Sequence, residues 1–395
     1  MDKEKIIGFE ALHKSMKKCI KGVLWKDSVA FFYHNWIREI LRLEKELKSG
    51  MYRERKPKFF TVTEPKTREI MSIAFRDRIY QRSLNDMALY PILTKGCIYD
   101  NHACQMGKGT DKARARFKCF LQRHYRKHGT QGAILKCDIK GYYPNMDRAI
   151  VKERLKALLD PEVYKMTAGI LDTFPGDIGF NPGSQIIQII GISILNPLDH
   201  YIKEKLHIKG YTRYMDDFLL IHKDKEYLQE CLEKIKLLLK EFHMELNMEK
   251  TGIFSLTEGV KFLGFYYKLT DTGKVIIMMD PKKVKHERKK LRRMAGLVKK
   301  GLKTRKSVDG HYESWKVHAS LVTLLRCYKT WTNFIKIYGG KKMEFKKVKT
   351  SIQEERKQEA LAADLEKQKA LTEYVAMMAD VDLPTEEKET EDYGA

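Results

Sequence analysis

The chain has 395 residues, 43% hydrophobic and 32% charged, and its 76 Lys and Arg outnumber 52 Asp and Glu to give a formal net charge of +24. That length allows two or three domains with a sizeable core, and that charge suits a partner with repeating negative charge, most simply a nucleic acid. With no run near the roughly 20 apolar residues of a membrane span, no apolar signal segment in "MDKEKIIGFEALHK", and scattered cysteines without a CxxC pair, the sequence argues against a membrane protein, a disulfide framework and a zinc finger, and for a reduced, cytoplasmic compartment.

Residues 1–50 read as helices, because "FFYHNWIREILRLEKELKSG" spaces its apolar residues helically and stops at Gly50. Two short β-like runs follow, "KFFTV" and "EIMSIAF", divided by the turn "EPKT", and residues 77–94 turn helical again. "CQMGKGTDKA" (Cys104 to Ala113) invites a phosphate-loop reading, yet the spacing GxxxxGK[ST] is absent. "AILKCDI" is strand-like and ends at an acid, Asp138. Residues 147–172 read as helical, then "FPGDIGFNPG" as a loop. "SQIIQIIGISILNPLDHYIKEKL" is a long apolar helix candidate despite Pro197. "YTRYMDDFLLIH" gives two strand-like halves around Asp216 and Asp217, and a helix follows over about 225–242. "VKFLGFYYKLTDTGKVIIMM" predicts a hairpin turning at "TDTG". From Pro281 the pattern is helical up to the acidic end "VDLPTEEKETEDYGA", with positive charge concentrated over Lys282 to Lys306.

A pair of adjacent acids is most often a surface turn. Here the flanks contain no Gly, Pro, Asn or Ser to open a loop, although a tight hairpin remains compatible. If the strand ending at Asp138 neighbours the two around Asp216 and Asp217, three carboxylates crowd one place. Such crowding raises the cost of ionisation, and divalent cations with hard oxygen ligands relieve it. Two Mg2+ ions roughly 4 Å apart can activate a 3′-hydroxyl and stabilise a pyrophosphate leaving group, which is nucleotidyl transfer.

These motifs, in this order, resemble a reverse transcriptase of the bacterial retroelement type over roughly residues 20–345. "YMDD" (Tyr214 to Asp217) resembles the palm hairpin of that family, and "LKCDIKGYY" (Leu135 to Tyr143) its first palm strand. The resemblance implies an α+β fold, a right-hand polymerase with fingers, a palm of antiparallel sheet packed on helices, and a helical thumb. It implies Asp138, Asp216 and Asp217 as catalytic metal ligands for Mg2+, with Mn2+ as a substitute. Tyr143 stands at the steric gate beneath the deoxyribose, where it would favour dNTP over NTP; strand-end packing of Tyr142 and Tyr143 is the plainer alternative. Gly183 and Gln188 align with the G-x-x-x-S-Q pattern of diversity-generating retroelement enzymes, with Ile187 at the Ser position. That leans the resemblance toward those and the unclassified or phage-defence branches, away from group II intron and retron enzymes. In this reading Gly183 lets the backbone approach substrate, while Gln188 is equally explicable as a helix polar residue.

The resemblance also places Lys250 of "LNMEKTG" near the pyrophosphate as a general acid. Arg68 would contact the incoming triphosphate, for which a guanidinium fork is suited. Lys108, beside two glycines, would contact a backbone phosphate. "FLGF" (Phe262 to Phe265) resembles the hairpin gripping the primer end. Lys289, Lys290, Arg292 and Arg293 would line a helix edge along the duplex backbone. Structural roles are expected for Asp77 and Arg78. The implied domains are an N-terminal helical extension over 1–50, fingers with part of the palm over 51–134, palm over 135–280, thumb over 281–345, and a C-terminal helix with acidic tail over 346–395. The expected partners are an RNA template, a DNA or RNA primer, dNTPs and a dedicated noncoding RNA, with an accessory protein or a second copy left open. No nuclease motif is visible. Two rivals stay open: an inactive nucleic-acid-binding scaffold, and an RNA-dependent RNA polymerase, which Tyr143 disfavours. The same chemistry serves antiphage defence and cassette mutagenesis.

Overall fold

In the computed structural model, which describes residues 3–63, 67–181 and 183–319, the chain opens on four helices, α1 (Glu4–Ile7), α2 (Phe9–Cys19), α3 (Asp27–His34) and α4 (Trp36–Lys48). Helix α4 buries Ile40, Leu43 and Leu47, a stripe at helical spacing, and the chain turns at Gly50 with φ 72°. An antiparallel hairpin follows, β1 (Lys58–Val62) and β2 (Arg68–Ser72), whose first strand is exposed along its whole length. Next come α5 (Phe75–Leu84), a π-helical turn (Asn85–Leu89), α6 (Tyr90–Lys95) and α7 (Thr110–His128). The expected ties at Asp77 are present: its carboxylate accepts from Tyr52 Oη at 2.8 Å and from the Arg55 amide at 3.0 Å.

Strand β3 (Ala133–Asp138) leads to α8 (Arg148–Leu158) and α9 (Pro161–Leu171). The single helical stretch expected over 147–172 is thus two helices. Asp147 and Asp160 cap them with side-chain hydrogen bonds, and Pro161 occupies the first turn of the second. Likewise the long apolar helix is α10 (Gln185–Ile194) and α11 (Asn196–His200), followed by a π-helical turn (Tyr201–Lys205). Pro197 lacks the N–H that a continuous helix needs and fits the first turn of α11 instead. Then come β4 (Gly210–Tyr214), β5 (Asp217–His222), α12 (Lys225–Lys240), β6 (Gly252–Ser255), β7 (Val260–Phe262), β8 (Phe265–Leu269), β9 (Val275–Met279), α13 (Pro281–Lys299) and α14 (Arg305–Ala319).

Two further antiparallel sheets result, ordered β4-β5-β3-β6 and β7-β8-β9, so the fold is α+β with antiparallel sheet packed on helices. The hairpin expected at "TDTG" is β8–β9. The four-stranded sheet is covered on both faces. Leu135, Cys137, Phe218 and Leu220 enter the main core with α10 and the N-terminal helices. Ile134, Leu219 and Ile221 point the other way, into a second core with Phe117, Phe120 and Leu121 of α7 and with the three-stranded sheet. Alternation to two apolar faces explains why the run around Asp216 and Asp217 is apolar throughout.

Helix α7 has no counterpart among the elements expected from the sequence. Its buried Ala113, Phe117, Phe120 and Leu121 stand at helical spacing, and Gly129 at φ 61° ends it. The described residues all fall in one compact unit, Met1–Thr330. The part of the expected thumb beyond residue 319, the helix expected after 346, the acidic tail and the Arg68 side chain lie outside what is described. No helix among the described residues is long and apolar enough to cross a membrane.

Candidate active site

Strands β4 and β5 pair up to Tyr214 and Asp217, leaving Met215 and Asp216 as a two-residue turn. Met215 has φ 58°, a left-handed conformation that costs a side-chain-bearing residue energy and persists only where its surroundings impose it. Those surroundings are visible. Arg213 Nη1 donates to the Met215 carbonyl at 3.0 Å, and Tyr143 Oη donates to Met215 Sδ at 3.4 Å. The Asp216 carbonyl accepts from the Ile139 amide at 3.1 Å. Asp138 is the direct cross-strand partner of Asp217, and its carbonyl accepts from the Asn247 amide at 2.7 Å. Register therefore brings all three acids to one end of the sheet.

Their side chains differ. Asp138 Oδ1 accepts a hydrogen bond from Lys250 Nζ at 2.6 Å. Asp217 Oδ1 is buried with no hydrogen-bond partner, the nearest cation being Lys136 Nζ at 3.8 Å. Burial, reinforced by the charges of Asp138 and Asp216 and opposed by Lys136 and Lys250, pushes the Asp217 carboxyl up to about 7. Among the described residues, no three His, Cys, Asp or Glu side chains are arranged as a metal-holding group. The donor chemistry still fits a hard divalent cation: oxygen ligands only, one of them buried and without a partner.

The folded-state value of Asp217, about 7, lies above the roughly 3.9 of an unfolded Asp. Its contribution to stability is present below about pH 4 and is lost as pH rises through 7. Metal-free protein should melt at a lower temperature at about pH 8 than at about pH 5 relative to Asp217→Asn, and Mg2+ should raise the melting temperature more at the higher pH. Thermal melts of both proteins with and without Mg2+ check this.

Tyr143 lies beside the turn, and α10 carries both tyrosines through one residue. Tyr142 Oη donates to the Gly191 carbonyl. A Cβ at Gly191 would come 3.0 Å from the Tyr143 ring, so the glycine sets where that ring rests. Gln188 is on the exposed side of α10, and its Oε1 accepts from Cys104 Sγ at 3.6 Å. Gly183 has φ 142°, and a Cβ there would meet the Met71 carbonyl oxygen at 2.2 Å. The close approach anticipated at Gly183 is thus to β2 of the same chain. Lys108 also differs from its expected phosphate contact: its ammonium donates to the carbonyls of Tyr99 at 2.9 Å and Asn101 at 2.8 Å, pinning its own loop.

Lys289, Lys290, Arg292 and Arg293 are exposed on α13, whereas Leu291, Met294 and Ala295 face inward. In the "FLGF" turn, Leu263 and Gly264 take φ 45° and 88°, which suits a two-residue hairpin, and Arg114 Nη2 holds the Leu263 carbonyl at 2.8 Å.

The sequence reading missed the polar network behind the turn. Arg213 and Asp199 are both fully buried, paired through Nε–Oδ1 at 2.7 Å and Nη2–Oδ2 at 2.6 Å. Tyr211 Oη donates to Asp199 Oδ1 at 2.5 Å, and Arg213 Nη2 to the Ile192 carbonyl at 2.9 Å. The available signal was one charge of each sign inside two strongly apolar runs, "YTRYMDD" and "SILNPLDHYI".

A family model described as reverse transcriptase (RNA-dependent DNA polymerase) matches residues 55–267, a segment that contains Asp138, Asp216 and Asp217. No curated protein matches the sequence. Among solved structures, the chain is similar to telomerase from Candida albicans in complex with a TWJ fragment of telomeric RNA, at 11% identity and TM-score 0.45 over 80% of this chain and 64% of that one. It is similar to apo telomerase from Candida tropicalis at 14% identity and TM-score 0.42, over 60% of this chain and 53% of that one. A form of the latter truncated from its C-terminal domain gives 15% identity and TM-score 0.43, over 62% of this chain and 60% of that one. The chain therefore spans less than two thirds of the length of these structures.

Proposed function

Because the chain belongs to the reverse transcriptase (RNA-dependent DNA polymerase) family, we propose that it is an RNA-directed DNA polymerase with its active site at the Met215–Asp216 turn. The observation that carries this is the register that opposes Asp138 and Asp217 at the end of the central sheet, with Asp216 in the adjoining turn. Asp138, Asp216 and Asp217 would hold two Mg2+ ions, or Mn2+, which when bound supply Lewis acidity at the attacking and leaving oxygens. The chain's own residues do the rest. Lys250 lies against Asp138, where its ammonium can hold a proton for the departing pyrophosphate. Tyr143, held against Met215, would form the floor under the sugar, and Gln188 and Gly183 would face the incoming nucleotide and templating base. Arg68 would reach the triphosphate, and the exposed α13 cations Lys289, Lys290, Arg292 and Arg293 suit the duplex backbone. In this arrangement residues 51–134, 135–280 and 281–345 act as fingers, palm and thumb. A bacterial retroelement or antiphage defence system, copying a dedicated noncoding RNA, fits the resemblance of the motifs; a diversity-generating enzyme is the alternative within the same chemistry.

The test is Mg2+-dependent primer extension with dNTPs on an RNA template. A second reading, an inactive nucleic-acid-binding scaffold, draws on the Lys250–Asp138 ion pair and the absence of a converged three-acid group among the described residues. Absent extension, with RNA binding intact, selects it.

Tyr143→Ala should improve use of NTPs relative to dNTPs by roughly 10–200-fold, the range that one small group's steric exclusion provides. Gly191→Ala should alter the same ratio without touching substrate, since its Cβ would force the Tyr143 ring to move. Single-nucleotide incorporation with paired dNTP and NTP measures both.

A further inference from the structure

The other end of the palm sheet carries a second concentration of charge. Asp138 pairs with Asp217, and five residues back Ala133 pairs with His222, a separation of about 17 Å along the strands. There the last turns of α7, the segment before β4 and the end of β5 enclose a cleft of ≈ 630 Å³. Arg123, Arg126, Lys127, Lys209 and Lys223 line it, with no Asp or Glu in the lining. All five are exposed, and none has a carboxylate partner among the described residues. Four histidines, His124, His128, His207 and His222, complete the wall. The walls are held close: at Gly132 a Cβ would meet the His222 carbonyl oxygen at 2.4 Å and His124 Nε2 at 3.1 Å.

The carboxyl end of α7 favours cations in its last turn, which accounts for Arg126 and Lys127. It does not account for Lys209 and Lys223, brought in from separate segments. Five like charges around one concavity repel one another, and a concave basic wall focuses the field that attracts a polyanion. We propose that this cleft binds the phosphodiester backbone of RNA, as a site separate from the catalytic turn, holding a part of the RNA that is not being copied. Choosing RNA as the polyanion rests on the reading of the chain as a reverse transcriptase; the anion site itself does not. Imidazole edges and guanidinium forks suit phosphate and ribose hydroxyls without base readout.

The experiment uses the full chain and a blunt RNA hairpin with no overhang to copy. Wild type is compared with the quintuple variant Arg123→Gln, Arg126→Gln, Lys127→Gln, Lys209→Gln and Lys223→Gln. Hairpin affinity should fall about tenfold or more, and the slope of log affinity against log salt should flatten by about three to five. Extension of a short preannealed primer–template should stay within about twofold of wild type. Hydrogen exchange on unmodified protein should show hairpin protection over 121–132 and 207–223, which needs no variant to fold. Unchanged affinity and slope overturns the proposal. Parallel loss of extension also overturns it, by assigning the cluster to the primer–template path. Protection by inorganic triphosphate but not by the hairpin overturns the RNA assignment. A wild type that never extends a primer refutes the polymerase reading while leaving the cleft scored by binding alone.

Discussion

Asp216→Ala combined with Asp217→Ala should reduce dNTP incorporation by at least about 10³-fold, since charge stabilisation at a metal-assisted centre is worth several kcal/mol. The reason lies in the register. Asp217 is cross-strand from Asp138, its buried Oδ1 lacks a partner, and Asp216 adjoins it in the turn. Removing both deletes two of the three oxygen donors at that end of the sheet. The same change should leave the fold intact. Asp217 is the member whose ionisation burial opposes, so its loss should raise the melting temperature of metal-free protein at about pH 8. RNA binding should persist, because the exposed cations of α13 and of the far cleft are untouched. Primer extension, thermal melting and RNA binding on one preparation separate these effects. Extension by the double variant would show that the acids are not the site.

Asp199→Ala should cost about 3–5 kcal/mol, the penalty for leaving one member of a buried ion pair uncompensated. Arg213 would retain the Met215 and Ile192 carbonyls but lose both carboxylate bonds, and Tyr211 would lose its acceptor. At roughly 2 cal/mol/K of unfolding entropy per residue, the compact unit Met1–Thr330 should lose about 4–7 °C of melting temperature. Arg213→Met with Asp199→Leu removes both charges and should recover much of the stability, as apolar replacement of buried pairs often does. It should not recover extension, because nothing then holds the Met215 carbonyl. Recovery of both would reduce the pair to a packing element.

The acids were legible because strand patterning on both sides of them is strong. Their convergence was not, because register between β3 and β5 is a tertiary property. Gly183 stood out as a glycine needing close approach, yet the partner it approaches, Met71, is distant in sequence. Lys108 beside two glycines looked like an anion contact; only the folded loop shows carbonyls already occupying its ammonium. Arg213 and Asp199 are each anomalous in an apolar run, but a lone buried charge does not name its counterpart. Helix breaks at Pro161 and Pro197 follow local rules and could have been drawn from the sequence.

The double-sided burial of the central sheet bears on time as well as position. Amides of β3 and β5 sit between two cores, so their protection should approach that of global unfolding, while an exposed strand such as β1 opens far more cheaply. The cheapest openings of the described residues should therefore fall at the periphery. Asp138 and Asp217, at the ends of those two strands, should keep their spacing through every smaller opening.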